Sequence, residues 1–349
     1  MGRNHRSPRK RERVRIATYN VEWFNSLFDN AGQLHNDDAW SGRWDVTRRQ
    51  QTAALGQVFQ AMDADAIMIV EGPDTSRHRD GAVALETFAE RFDMRARKVV
   101  MGFLNDTQQE ISLLYDPDVA TAKHDPIGTL DVDSPAPRFD AELQMDLDIN
   151  ARPEVIRWSK PPLEVAMKVG ALDLRLIGVH AKSKAPHGAQ NDEEARLISI
   201  KNRRKQLAQC IWLRQRVNQH ISAEENLIVL GDFNDGPGLD EYEKLFGRSG
   251  VEIVLGEGDA TRLYDPHAQM VLGRRIGALP STARFKKQHG PYLQALLDYV
   301  MVTPGLRTHN PAWQIWHPFD HPACYENVPL REALLLASDH FPVTLDFDT

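Results

Sequence analysis

Apolar and polar residues alternate along this chain in two registers, one of period two and one near 3.6. Runs rich in branched and aromatic residues predict strands over Val14–Phe24, Asp65–Glu71, Glu110–Tyr115, Val155–Lys168, Leu172–His180, Leu227–Asp232, Leu296–Val302 and Phe341–Phe347. Helical spacing predicts Thr47–Met62, where a capping Thr precedes Ala54, Leu55, Val58 and Phe59, and it also predicts Gly81–Phe92. A longer helix over Asp192–His220 puts Leu197, Ile200, Leu207, Ile211 and Val217 near one stripe. Strands dominate, with helices between them, so sheets covered by helices are expected. Three polar stretches, residues 25–45, 119–152 and 256–291, read as loops or insertions.

The strand ends carry an unusual set of residues. Leu227-Ile-Val-Leu230 is a run suited to burial on both faces, and it stops on Gly231-Asp232-Phe233-Asn234. In extended backbone Asp232 and Asn234 share a side. A polar turn alone accounts for that cluster. A backbone-bonded amide accounts for Asn20 and a solvated strand end for Glu71. Yet His180 ends another strand, Asp298 lies inside an apolar run, and Asp339-His340 opens the last strand. A buried carboxylate without a partner costs several kcal/mol of hydration, about 2–7 by transfer data, so Asp298 needs an explanation. Taken together, strand ends furnished only with Asp, Glu, Asn and His point to a site.

Composition narrows the chemistry. The chain has 349 residues, 42% hydrophobic and 26% charged, as a globular protein does. No apolar run approaches the ~18 residues of a membrane span. Cys210 and Cys324 are far apart, which excludes a disulfide framework and a cysteine zinc site. Residues 1–13 carry six Arg or Lys against one Glu, so of the net −7 the remainder accounts for −12. This tail is expected to be solvated and disordered, with residues 14–349 forming a single domain. It has no apolar stretch of a secretory leader, and a cytoplasmic location is expected. No obligatory protein partner is legible. An oxygen-rich ligand set favours Mg²⁺ or Mn²⁺ over zinc. No phosphate-binding Gly-Lys-Ser/Thr loop and no Gly-x-Ser-x-Gly elbow is present. Metal-assisted attack of water on a phosphate ester remains.

The stretches "IATYNVEWF", "IMIVEG", "ARPEVIRW", "LIGVHAKSK", "VLGDFND", "LLDYVMV" and "SDHFPV" resemble, in order, the motifs of the endonuclease/exonuclease/phosphatase superfamily. The resemblance implies an α/β (α+β) four-layer sandwich, two mixed β-sheets packed face to face with helices on both outer faces. It implies Asn20, Glu71 and Asp339 at the metal end, with Glu71 the principal ligand. Asp232 would orient or deprotonate the attacking water, and Asn234 would contact a phosphoryl oxygen. His340 would be oriented by Asp298, and His180 would contact phosphate or protonate the leaving oxygen; which histidine is acid and which is base stays open. Glu110 is the candidate to orient His180, and Arg152 resembles the family's phosphate-contacting Arg. Lys182, Lys184, Arg284, Lys286 and Lys287, with Arg274-Arg275 upstream, are candidates to track phosphates. The absence of Trp before Leu230-Gly-Asp and of Cys-Asp-Arg near Asp298 separates the chain from the inositol-polyphosphate branch. The implied activity is a divalent-metal phosphodiesterase, foremost a nuclease on DNA or RNA. A lipid or small-molecule phosphodiesterase is the alternative enzyme, and a catalytically silent binding protein on the same fold is the alternative of another class.

Overall fold

A computed structural model describes residues 13–105, 107, 109–131, 134–146, 154–237, 247–273, 279–286 and 292–349. The basic tail up to residue 12 lies outside the described residues, as do Arg152, Arg274, Arg275 and Lys287. In chain order the strands begin with β1 (Arg13–Asn20), β2 (Ala66–Gly72), β3 (Lys98–Met101), β4 (Glu110–Tyr115), β5 (Ala120–His124), β6 (Leu143–Met145), β7 (Glu154–Ile156) and β8 (Leu163–Val169). They continue with β9 (Leu172–His180), β10 (Leu227–Asp232), β11 (Ala283–Phe285), β12 (Leu293–Ala295), β13 (Asp298–Val302), β14 (Ala312–Ile315) and β15 (Val343–Asp348). The helices used below are α1 (Arg48–Met62), α2 (Gly81–Arg91), α3 (Asp192–Ser222), α4 (Gly250–Leu255), α5 (Pro266–Leu272), α6 (Pro322–Glu326) and α7 (Val328–Ala337).

Two mixed sheets form, in the orders β14-β15-β1-β2-β4-β3 and β13-β10-β9-β8-β5. Alternation along the strands shows how they stack. In β1, Ala17 and Tyr19 join a core with Leu55 and Phe59 of α1, Phe88 of α2 and Leu334 of α7. Val14 and Ile16 of β1 point the other way, into a core shared with Ile228 and Leu230 of β10. Leu227 and Val229 of β10 then face Ala208, Trp212 and Val217 of α3. Period two, with both parities apolar, therefore builds helices–sheet–sheet–helices, the four layers expected. Each buried branched side chain contributes about 1.5–3 kcal/mol to that stack.

Several boundaries differ from the pattern. β1 stops at Asn20 instead of Phe24, because Trp23 adopts φ 58° and the chain enters a 3₁₀ turn over Phe24–Leu27. The run 155–168 is two strands, β7 and β8, divided where Pro161-Pro162 remove backbone donors. The stretches 119–152 and 256–291 contain β5, β6, α5 and β11 as well as loops. In α3, Leu197 is 63% exposed, whereas Leu207 and Val217 are buried among polar Arg203, Gln206 and Arg216. Asp298 opens β13 instead of lying inside it.

Candidate active site

Each sheet holds one parallel pair, β1/β2 and β9/β10, and the carboxyl ends of all four strands deliver polar residues. Asn20 ends β1 opposite Val70, one residue before Glu71. His180 and Asp232 are register partners at the ends of β9 and β10. Antiparallel β13 then sets Asp298 opposite Asp232. Local chain geometry aims these groups. A register shift between Ile69 and Gly72 puts Glu71 at φ 61°, a left-handed conformation that costs a non-glycine residue about 1–3 kcal/mol. Gly231 has φ 135°, and a Cβ there would lie 2.1 Å from the Val179 carbonyl oxygen, so the position before Asp232 requires glycine. Asn234 takes φ 50°, which Asn tolerates better than most residues.

Asp232 is buried and held from three directions. Its Oδ1 accepts the Asn234 N–H at 2.7 Å, and its Oδ2 accepts amides of Asn234 at 3.0 Å and Asn20 at 3.1 Å. Burial, with Asp298 and Glu71 nearby, pushes its carboxyl up to about 7 despite the opposing His340 charge. His340 Nδ1 lies 2.7 Å from Asp298 Oδ2. Burial disfavours the His340 imidazolium, but Asp298, Asp232 and Asp339 together hold its pKa well above the ordinary value. The partnership accounts for the buried Asp298 carboxylate. Ser338 fastens this strand opening to β1, donating its hydroxyl to the Asn20 carbonyl at 2.8 Å and accepting the His340 N–H at 3.1 Å.

His180 is set differently. Its Nε2 is 3.7 Å from Asp232 and 3.9 Å from Glu71. Glu110 does not orient it; that carboxylate is buried against Asn105, which donates to it at 2.9 Å, and burial pushes it up to about 7. Lys160 is the nearest charged group, with Nζ 3.1 and 3.2 Å from the two ring nitrogens. A cation nearly equidistant from both is aligned with neither lone pair; it acts as a charge. Burial, then Lys160, His340 and Lys182, hold His180 well below its ordinary pKa. Lys160 is itself lowered by burial, while Glu71 and Asp232 oppose that shift. The sequence pattern absorbed Lys160 into a strand; the Pro-Pro pair after it was the available cue.

A second carboxylate set lies beside this. Glu71 Oε2 accepts Gln109 Nε2 at 2.8 Å. Glu22, two residues beyond Asn20, contacts Arg43 and accepts the Asp339 N–H at 3.2 Å. Burial and the adjacent Asp339 push Glu22 up to about 7, against the pull of Arg43. The residue continues the parity of Ile16, Thr18 and Asn20, so its signal was in the sequence. Asn20 Oδ1 is buried with no hydrogen-bond partner. An orphaned amide oxygen beside crowded carboxylates, with no sulfur, fits a hard divalent cation. Among the described residues Asp232, Asp298 and His340 also place ligand atoms within 4.8 Å of one another. That trio is poorly suited to a cation, because His340 Nδ1 is engaged by Asp298 and the ring is held protonated.

The remaining candidates separate by partner. Lys184 is ion-paired at 2.7 Å with Asp235, which is also 2.5 Å from Arg203, so Lys184 braces the loop after β10 and is not available to phosphate. Arg284 lies at the rim; its backbone N–H donates to the Asp339 carbonyl at 2.7 Å, and its guanidinium stacks 3.5 Å from the Tyr292 ring centroid. Lys286 sits 5.9 Å from the ring of Trp44, which is 81% exposed. No helix among the described residues is long and apolar enough to cross a membrane.

The family model described as "Endonuclease/Exonuclease/phosphatase family" matches residues 17–340. No curated protein matches. Among solved structures, truncated TDP2 from Caenorhabditis elegans superposes with a TM-score of 0.52 at 13% identity, covering 97% of this chain and 98% of that one. A humanized D. rerio TDP2 carrying 14 mutations gives 0.51 at 11% identity, covering 97% and 100%. At such identities the likeness is one of fold.

Proposed function

The chain belongs to the endonuclease/exonuclease/phosphatase family, and from that premise we propose that it is a divalent-metal-dependent phosphodiesterase acting on nucleic acid. Members of this family are generally phosphoester hydrolases. The observation that carries the reading is the pairing of a proton-accepting Asp232 with a proton-holding His340 beside a separate carboxylate set. Mg²⁺ or Mn²⁺ held by Glu71, Asp339, Asn20 and Glu22 would neutralise phosphate oxygens and admit an anionic diester to an acidic cleft.

The chain's own groups do the rest. Asn20 and Asn234 amides fix the Asp232 carboxylate, which takes a proton from the attacking water. The His340 imidazolium, oriented by Asp298, meets the negative charge that develops on phosphorus oxygens. His180 stays neutral beside Lys160 and presents a hydrogen bond to a phosphoryl or leaving oxygen. Arg284 at the rim and Lys182 beyond His180 are assigned to substrate contact. A binding protein has no use for a buried acid–base pair whose upkeep costs stability, which disfavours the silent alternative.

The test is hydrolysis of bis-p-nitrophenyl phosphate, single-stranded DNA, RNA and sphingomyelin in Mg²⁺, Mn²⁺ or EDTA. Cleavage of the diester and of a polynucleotide, lost in EDTA, is expected. Undiminished turnover in EDTA would defeat the metal assignment, and cleavage of sphingomyelin alone would move the lipid reading ahead.

A further inference from the structure

We infer that Lys182, Lys201 and Lys205 form a phosphate track that carries a polynucleotide strand away from the active site; this deepens the phosphodiesterase reading and rests on it. Their ion-pairing separates these three from the charged groups around them. Nearby Lys184 is neutralised by Asp235, Arg204 by Glu154 at 2.8 Å, and Arg157 by Glu142. Among the described residues no carboxylate pairs with Lys182, Lys201 or Lys205. In a chain of net charge −7, three neighbouring cations without a carboxylate partner are a local positive surplus.

Their placement is built in. Lys182 lies two residues beyond His180. Its N–H donates to Gln209 Oε1 at 2.9 Å and its carbonyl accepts Gln206 Nε2 at 2.8 Å, which fastens the segment along α3. Lys201 and Lys205 are one turn apart on that helix, about 6 Å along the axis, comparable with the separation of neighbouring phosphates on one strand. The three sense one another: burial lowers the Lys205 ammonium, and Lys182, Lys201 and Arg157 lower it further. The Lys182 charge also reaches Lys160 and His180. The row is therefore continuous with the site. Lys182 and Lys205 are half-buried, and of the three only Lys201 is exposed. A planar bilayer cannot reach recessed ammonium groups in a line; a flexible polyanion can. This assigns to α3 a role that the sequence pattern gave to the 274–287 loop.

The test compares wild type, K201A/K205A and K201R/K205R. Fluorescence anisotropy of a labelled single-stranded oligonucleotide is read in EDTA across a salt series, and turnover is read in Mg²⁺. Losing two phosphate contacts on a single strand should reduce the log–log salt slope by about 1.4 and weaken binding roughly 25-fold at 0.1 M salt. KM for the oligonucleotide should rise in parallel, the Arg variant should retain the wild-type slope, and bis-p-nitrophenyl phosphate turnover should be kept. An unchanged slope and affinity in the Ala variant overturns the track. So does loss of binding to phosphatidylserine vesicles with oligonucleotide affinity intact. Because the binding arm needs no catalysis, failure of the phosphodiesterase reading would show separately, as absent turnover of the small diester.

Discussion

Replacing Glu22 by Gln tests the cation assignment without relying on activity. Burial and Asp339 raise this carboxyl from an ordinary 4.5 to about 7. At about 1.4 kcal/mol per unit, keeping it ionised at pH 8 costs the folded metal-free protein about 3 kcal/mol. The sign follows from proton counting. Between 4.5 and about 7 the native state binds more protons at Glu22 than the unfolded chain does, so stability in EDTA falls as pH rises through that window and stays low above it. Asp232, raised from 3.8 to about 7, adds a slope of the same sign. Gln removes the Glu22 share but leaves Arg43 without its carboxylate, which offsets about half. A net gain of about 1–2 kcal/mol remains. With an unfolding entropy of about 2.1 cal/mol/K per residue, 349 residues give about 0.7 kcal/mol per degree, so Tm in EDTA at pH 8 should rise by about 2 °C. Mg²⁺ should distinguish the two proteins. At a hundredfold excess over Kd it stabilises wild type by about 2.7 kcal/mol, or about 4 °C, more at pH 8 than at pH 6 because it must displace a proton. Most of that shift should vanish in the Gln variant. Melts in EDTA and in Mg²⁺ at both pH values decide the matter. A variant with the full Mg²⁺ shift and an unaltered EDTA slope would remove Glu22 from the cation's surroundings.

Further outcomes follow from the acid–base pair and its neighbours. Asp232→Asn and His340→Ala should each lower kcat by about 10²–10⁴ with the melting curve still cooperative, and either variant keeping a tenth of wild-type rate would void its role. The wild-type rate should rise with pH as Asp232 loses its proton, near 7 or lower once a cation is bound, and fall at higher pH as His340 loses its own; a profile without the alkaline limb would contradict a protonated His340. Lys160→Met should raise the pKa of His180, read as the midpoint of its imidazole proton resonance, and an unmoved midpoint would show that burial alone keeps the ring neutral.

What the sequence disclosed depended on backbone periodicity. Asn20, Glu71, His180, Asp232, Asp298 and His340 sit at strand ends or openings, where parity fixes the side a residue faces, and the structure brings them to one edge. Glu22 carried the same parity signal but lay past the point where β1 ends, so a strand drawn to Phe24 did not mark it as a site residue. Lys160 had no periodicity to report it, because the segment between β7 and β8 is irregular and its position is set by tertiary packing. Lys201 and Lys205 look like ordinary solvated helix lysines until partners are assigned. Lys184 illustrates the converse: its charge is legible, but its pairing with Asp235, 51 residues away, is not. Leu197 completes an apolar stripe in sequence yet is exposed, because the first turns of α3 bury no side chain and its buried residues begin at Arg203.

The two sheets explain why such a site is assembled at an edge at all. Each contributes one parallel pair, and a parallel pair ends both strands on the same side. Face-to-face packing of the sheets then brings the ends of β1 and β2 against those of β9 and β10. The first pair supplies Asn20 and Glu71, and the second supplies His180 and Asp232. The antiparallel neighbours β13 and β15 close the gap, with Asp298 opening one and His340 preceding the other. Carboxylates from both halves thus converge in a dry place, where burial first and neighbouring carboxylates second raise the pKa values of Glu22 and Asp232. On the proposed reading, that cost in the metal-free state is what a bound cation would relieve. Glu22→Gln measures the same cost from the other direction.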